Sequence, residues 1–263
     1  MANRKKQSPQ DSVPQRKTQK KTTNNSQQEQ PDNLTVAGIG ASAGGLKALQ
    51  AFFETLPDNT GLAFVVITHL HPEYKSHMAE ILQNSTGMPV RQVTREIRVE
   101  PNHVYVIPPN RRILMTDTTL DLAEFKEPRG MRLPIDYFFR SLAKAHPSMV
   151  GIILSGGGTD GSVGIKAIEE EGGLLMVQDP NEAEYDSMPR AAIATGLVDV
   201  VLPVRDLAAK LVNYVRQPAV LPNDPNELSP VQAETLRRIL AYVQAHATDR
   251  SRNPGRLPEL YAP

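Results

Sequence analysis

From Leu34 onward, short apolar runs alternate with longer stretches whose apolar positions recur every three or four residues. Leu34–Ile39 is the first run. Leu46, Leu49, Phe52, Phe53 and Leu56 then form one helical stripe, closed by Pro57-Asp58-Asn59. The run Leu62–Thr68 follows, and after it a helix over Ser76–Asn84 with Met78, Ile81 and Leu82 on one face. A helix over Ile135–Ala145 leads into the strand Val150–Leu154. The alternation continues with helix Ser162–Glu170, strand Leu174–Val177, helix Pro189–Thr195, strand Val198–Leu202 and helix Arg205–Arg216. Strands separated by helices of this length need crossover connections. The pattern therefore predicts an α/β fold with a doubly wound, mostly parallel sheet covered on both faces. Four shorter β-like pieces, Val90–Val93, Val104–Ile107, Ile113–Thr116 and Leu120–Phe125, predict a hairpin insertion or a short antiparallel edge.

The flanks read differently. Residues 1–33 are rich in Gln, Lys, Asn, Thr and Ser and carry almost no large apolar side chain. Such a stretch cannot bury enough surface to offset its ordering entropy, so a disordered tail is expected. Lys5, Lys6, Arg16, Lys17, Lys20 and Lys21 make it basic, which suits a solubilising leader or an anionic partner. At the other end Pro218, Pro222 and Pro225 predict a stiff linker. Ser229-Pro230-Val231-Gln232 is a capping box for a further helix, striped by Leu236, Ile239, Leu240 and Val243. Beyond Thr248 the chain is polar and reads as frayed. The expected organisation is a tail over 1–33, a folded domain over 34–218, and a linker plus helix over 219–263.

Composition narrows the chemistry. With Cys 0, disulfides, cysteine zinc sites and thiol catalysis are excluded. Lys+Arg 29 balances Asp+Glu 29, so no net charge draws the chain to nucleic acid or membrane. No apolar stretch approaches the roughly 20 residues of a membrane span, and residues 1–33 lack the apolar core of a signal peptide. A cytoplasmic protein without membrane insertion is expected.

Three polar residues stand just past the carboxyl ends of expected strands, the edge where open parallel sheets bind ligands. Ser42 lies in Gly40-Ala41-Ser42-Ala43-Gly44-Gly45, His69 ends the run Leu62–Thr68, and Asp160 lies in Ser155-Gly156-Gly157-Gly158-Thr159-Asp160-Gly161. A serine, an imidazole and a carboxylate are the parts of a nucleophilic triad. Gly40 to Gly44 fits G-x-S-x-G, in which the chain turns sharply from strand to helix and projects the serine hydroxyl. The same residues also fit the dinucleotide fingerprint G-x-G-x-x-A, from Gly38 to Ala43. That fingerprint expects a ribose-binding acidic residue at the end of the second strand, where this chain has Thr68-His69-Leu70-His71. His69, His71 and His77, with Glu73, offer a third reading as metal ligands. Asp160 has a local alternative as the cap of the helix near Ser162, although a cap does not need the preceding glycines. The remaining histidines, among them His103, His146 and His246, read as surface or packing residues. The order Ser, His, Asp differs from the Ser, Asp, His of α/β-hydrolases, so the triad belongs to another doubly wound sheet.

Five ordered motifs make a resemblance specific. They are Ile39-Gly40-Ala41-Ser42-Ala43-Gly44-Gly45, Ile67-Thr68-His69-Leu70, Tyr105-Val106-Ile107-Pro108-Pro109, Ile153–Gly164 and Ser187-Met188-Pro189-Arg190. In this order they resemble the CheB-type protein-glutamate methylesterases of bacterial chemotaxis, over about Leu34 to Arg216. The resemblance implies a Rossmann-like catalytic domain that removes methyl groups from glutamyl side chains of chemoreceptors, with deamidation of receptor glutamines in some members. It implies Ser42 as nucleophile, His69 as base and Asp160 as orienting carboxylate, with no cofactor. Backbone N–H groups of Ala43 and Gly157 are the expected oxyanion donors. Members usually carry an N-terminal phospho-receiver domain; here residues 1–33 stand before the esterase, so control by aspartyl phosphorylation within the chain is not expected. Ala43 stands where members often have Thr. The surroundings of His69 look most like esterase domains fused to methyltransferase and sensor modules, so a methylated chemoreceptor or related sensory protein, and a methyltransferase or sensor-kinase partner, are expected. The other classes to weigh are a catalytically silent adaptor of the same fold and a dinucleotide-binding module.

Overall fold

The computed structural model describes residues 1–2, 34–69, 77–128 and 131–216. The basic tail, His71, Glu73, the proline-rich linker and the expected helix after Ser229 lie outside the described residues. The fold belongs to the unit that begins at Leu34. Its elements run β1 (Val36–Ala41), α1 (Gly45–Thr55), β2 (Ala63–Thr68), α2 (Met78–Gln83), β3 (Val90–Gln92), β4 (Ile97–Arg98), β5 (His103–Val106), β6 (Arg112–Thr116) and β7 (Thr119–Ala123). They continue with α3 (Pro134–Ala145), β8 (Met149–Ile153), α4 (Gly164–Glu170), β9 (Leu174–Gln178), α5 (Ser187–Ile193), β10 (Val200–Leu202) and α6 (Val204–Arg216).

Seven strands form one sheet in the order β10-β9-β8-β1-β2-β5-β3. Every pairing in it is parallel, as expected from the alternation of strands and helices. β1 is central and buried at every position. Its partners are β2, from Val36↔Ala63, and β8, from Val36↔Met149. The chain leaves β1 toward β2 and β5, then returns to β1's other side with β8 and continues outward to β9 and β10. The topological switch point therefore lies between β1 and β8.

The segment between Val90 and Phe125 corrects the expectation in part. Only two of its four predicted pieces form the antiparallel hairpin, β6 with β7, joined by a two-residue β4 that the pattern did not reveal. The other two, β3 and β5, extend the main sheet as parallel strands. Strands of three or four residues carry too few alternating positions to distinguish the two kinds of pairing.

Each face of the sheet holds its own core. On one face Phe52 and Phe53 of α1 meet Phe64 of β2 edge to face, with ring centroids 5.5–6.4 Å apart. Leu207, Ala208 and Leu211 of α6 complete that layer. On the other face α3 presents Ile135, Phe138, Phe139 and Leu142, and α4 presents Ile165 and Ile168. Each such side chain contributes about 1.5–3 kcal/mol on full burial. α3 crosses β1 so closely that a Cβ on Gly40 would lie 2.6 Å from Ile135 Cγ2, and one on Gly38 2.9 Å from the Phe138 ring. The glycines of the G-x-G pattern are thus accounted for by helix–sheet packing.

His146 ends α3 and is buried. Burial pulls its pKa below the ordinary histidine value, opposed by a hydrogen bond to the Ser148 carbonyl. The unfolded chain therefore binds the proton more readily. The stabilisation is complete above the unfolded value near 6.5 and is lost as pH falls below it. His146→Gln is expected to flatten the fall of Tm between pH 7.5 and 5.5, from a slope of at most about 1.4 kcal/mol per pH unit for that group. Parallel Tm–pH curves for the two proteins would refute this.

Candidate active site

β1 ends at Ala41, and the next residues turn sharply into α1. Gly44 makes the turn as the N-cap of α1, with φ +69. A side chain there would be strained by that dihedral, and its Cβ would also meet Glu184 Cβ and Ser155 Oγ at 2.8 Å. Ser42, at the apex, is held by its own N–H, which donates to the Ser155 carbonyl at 3.0 Å. The turn is thus tied across the switch point to the end of β8.

β2 is paired in register with β1, Ala41 opposite Thr68, so the residue after Thr68 emerges beside Ser42. That residue is His69. Its Nδ1 lies 3.1 Å from Ser42 Oγ, and its Nε2 lies 2.8 Å from Asp160 Oδ2. The carboxylate accepts from Nε2–H, so Nδ1 holds the lone pair and the serine hydroxyl donates to it. The ring stands the opposite way round from the chymotrypsin arrangement, where Nε2 faces the nucleophile. The imidazole side chain is 34% exposed and the Asp160 side chain 2%. One end of the chain of hydrogen bonds is therefore open to a substrate and the other is sealed.

Asp160 is anchored by backbone. Ile135 N–H donates to Oδ2 and Asp136 N–H to Oδ1, each at 3.0 Å. Both donors belong to the first turn of α3, where N–H groups lack intrahelical acceptors. Asp160 does cap a helix, as its local alternative held, but the helix is α3 rather than the one that follows it in sequence. The residue at the N-cap of α4, Val163, makes no side-chain cap hydrogen bond of its own.

Around the triad, the turn after β8 is shaped by contacts. A Cβ on Gly156 would lie 2.2 Å from Met188 Sδ and 3.1 Å from Ser42 Cβ. Gly156 N–H donates to the Tyr185 carbonyl and Gly158 N–H to Ser187 Oγ. Between them, Gly157 N–H has no acceptor among the described residues, and neither has Ala43 N–H. A Cβ on Gly157 would meet nothing within 4 Å, so the turn is uncrowded on the side a side chain would take.

Two residues of this region escaped the sequence reading. Ser155, 1% exposed, donates from Oγ to the Ala43 carbonyl and accepts from Tyr185 N–H, while its own N–H donates to Gln178 Oε1. Asp136, 3% exposed, accepts at Oδ1 from Val163 N–H at 3.1 Å and Gly164 N–H at 2.6 Å. Asp136 had a readable signal, an acid on the apolar stripe of α3 beside Ile135, Phe138 and Phe139. Ser155 had none apart from its place before three glycines. Of the histidine set considered for a metal, His69 spends both ring nitrogens on Ser42 and Asp160, and His77 Nδ1 pairs with Glu80 Oε2 at 2.7 Å.

The model of the CheB methylesterase family matches residues 37–211, which contain Ser42, His69 and Asp160. The chain belongs to the CheB methylesterase family. It is accordingly a carboxylic ester hydrolase, as the five-motif resemblance implied. A relative from Leptospira interrogans is 33% identical over 178 residues, spanning 67% of this chain and 92% of its own. Protein-glutamate methylesterase/protein-glutamine glutaminase 3 of Pseudomonas syringae pv. tomato is 33% identical over 198 residues, with 74% of this chain matched to 58% of that one. The chain thus spans little more than half of that relative. The crystal structure of the Thermotoga maritima CheB methylesterase catalytic domain shares the fold, with TM-score 0.65 at 24% identity, over 69% of this chain and 98% of that one. No helix among the described residues is long and apolar enough to cross a membrane.

Proposed function

We propose that this protein hydrolyses glutamyl methyl esters on chemoreceptor-type signalling proteins, with Ser42 as nucleophile, His69 as base and Asp160 as orienting carboxylate. One observation carries the reading: His69 bridges Ser42 Oγ at 3.1 Å and Asp160 Oδ2 at 2.8 Å. Ser42 Oγ attacks the ester carbonyl carbon while His69 Nδ1 takes its proton. The tetrahedral intermediate collapses, the C–O bond to methoxide breaks, and His69 returns the proton to release methanol. Water, deprotonated by the same nitrogen, attacks the acyl-enzyme and frees the glutamate. Through both steps Asp160 holds Nε2–H and stabilises the imidazolium.

The open N–H groups of Ala43 and Gly157 are assigned to the oxyanion. Such a donor is typically worth about 2.7–4 kcal/mol in the transition state. The same attack on a glutamine carboxamide, with ammonia as leaving group, is deamidation, the second activity in the name of the Pseudomonas syringae relative. We take residues 34–218 as the catalytic unit and the cytoplasm as its setting. None of these steps calls for a cofactor. The dinucleotide reading loses its motif to the packing of α3 on Gly38 and Gly40.

The test is release of labelled methanol from a methyl-esterified receptor segment, with a fluorophosphonate counting active serines. Methanol release and one adduct per chain, on Ser42, are expected. A folded protein that takes up no fluorophosphonate and releases no methanol would leave only the adaptor reading.

A further inference from the structure

Asp136 sits behind the triad. Its backbone N–H donates to Asp160 Oδ1, and its side chain accepts the N–H groups of Val163 and Gly164. Val163 and Gly164 are three and four residues beyond Asp160 in the chain. The contacts therefore close a ring: from Asp160 along the backbone to Gly164, across to the Asp136 carboxylate, through the Asp136 main chain, and back to the Asp160 carboxylate. The ring docks the start of α4 on α3 and holds Oδ1 of the Asp160 carboxylate, while Ile135 N–H holds Oδ2. It also sets a second buried carboxylate directly behind the first.

An aliphatic side chain on this stripe would pack as well as its neighbours, and burying a carboxylate is costly. Burial raises the pKa of Asp136, the Gly164 N–H opposes the rise, and the charge of Asp160 adds to it, so the two carboxylates feel each other. Arg140, one turn further along α3, acts in the opposite sense to Asp160. A negative charge here favours a positive imidazolium at the far end of Asp160.

We propose that Asp136 is a positioning residue for this triad, fixing Asp160 through the ring and adding a second negative charge behind the imidazole. The proposal rests on the triad assigned above. It separates into a geometric part and an electrostatic part, and two substitutions divide them. Asp136→Asn keeps an oxygen for Val163 and Gly164 N–H but removes the charge. Gly164→Ala keeps the charge but displaces the donors, because the new Cβ would lie 2.9 Å from Asp136 Cα and 3.1 Å from its Oδ1.

The experiment follows fluorophosphonate inactivation of the full chain from pH 5 to 9, with adducts counted by intact mass and folding checked by circular dichroism. Asp136→Asn is expected to lower the plateau rate about tenfold and to move the acidic limb of the profile about half a pH unit lower. Gly164→Ala is expected to lower the rate at every pH by up to about 10²-fold, the scale of a 1 Å misplacement, and to leave the limb in place. If Asp136→Asn lowers Tm yet keeps the wild-type rate and limb, its role is only structural and the proposal is overturned. If Asp136→Asn does not fold, a wild-type rate in Gly164→Ala overturns it instead. Ser42→Ala serves as control: an adduct count unchanged in that variant removes the triad itself, and is distinguishable because it does not depend on Asp136.

Discussion

Ser42→Ala is expected to lower the rate of glutamyl methyl ester hydrolysis by about 10⁶-fold while leaving the fold intact. The size follows from what remains. His69 and Asp160 keep their hydrogen bond, and the Ala43 and Gly157 N–H groups keep their open positions, but no atom is left to receive the acyl group. Members of such a triad act as a unit, so losing the nucleophile alone costs nearly as much as losing all three. The residue of activity is what oxyanion donors and binding supply, about 10³–10⁴-fold over water. Stability should change by less than about 0.5 kcal/mol, because the hydroxyl's one hydrogen bond is to the part-exposed His69 and the backbone tie to Ser155 is untouched. The measurement is labelled methanol release per folded molecule, together with Tm. A variant within tenfold of wild type would show that another group is the nucleophile.

The parts of this site that sequence made legible are those set by burial and register. β1, β2 and β8 are buried on both faces, so each reads as a continuous apolar run. In a parallel sheet the residue after such a run emerges at the ligand-binding edge. That logic alone puts Ser42, His69 and the turn of Asp160 at one rim. The helical stripes of α1, α3 and α6 were equally plain.

What escaped was non-local. The cap made by Asp160 reaches residues 24 and 25 positions away, at the start of a different helix. Nothing in the neighbourhood of Asp160 distinguishes that from a local cap. The nitrogen of His69 that faces Ser42 depends on where α3 fixes the carboxylate, which a linear pattern does not encode. The glycines of Gly38-Ile39-Gly40 by themselves fitted two chemistries, and although His69 in place of an acidic residue favoured hydrolysis, the packing of Ile135 and Phe138 against them was not legible. The short strands β3 and β5 were legible as strands but not in direction, since a short strand next to a turn-rich insertion can pair either way.

Because Asp160 has two tasks, its substitution by asparagine is the sharpest probe of the arrangement. An amide has one oxygen for three N–H donors. With the oxygen toward His69 and Ile135, Nε2–H stays bound and the tautomer survives, but the NH₂ group is pressed against Asp136 N–H in a buried site. Donor facing donor there costs about 1–3 kcal/mol. With the oxygen toward Asp136, the NH₂ group faces both Ile135 N–H and His69 Nε2. It then donates to Nε2, the ring proton moves to Nδ1, and the base can no longer accept from Ser42 Oγ. In both orientations the negative charge that stabilises the imidazolium is gone. Asp160→Asn is therefore expected to lose about 10⁴-fold in kcat, and to lose stability as well. The kinetic loss should be partly recovered at high pH, where hydroxide or a deprotonated serine bypasses the base, whereas a loss due to unfolding would not be. Rates normalised to the folded fraction, measured from pH 7 to 10, decide between these. If the folded fraction turns over at the wild-type rate, Asp160 is an anchor for α3 and nothing more, and the hydrolytic centre would have to be sought in Ser42 and His69 alone.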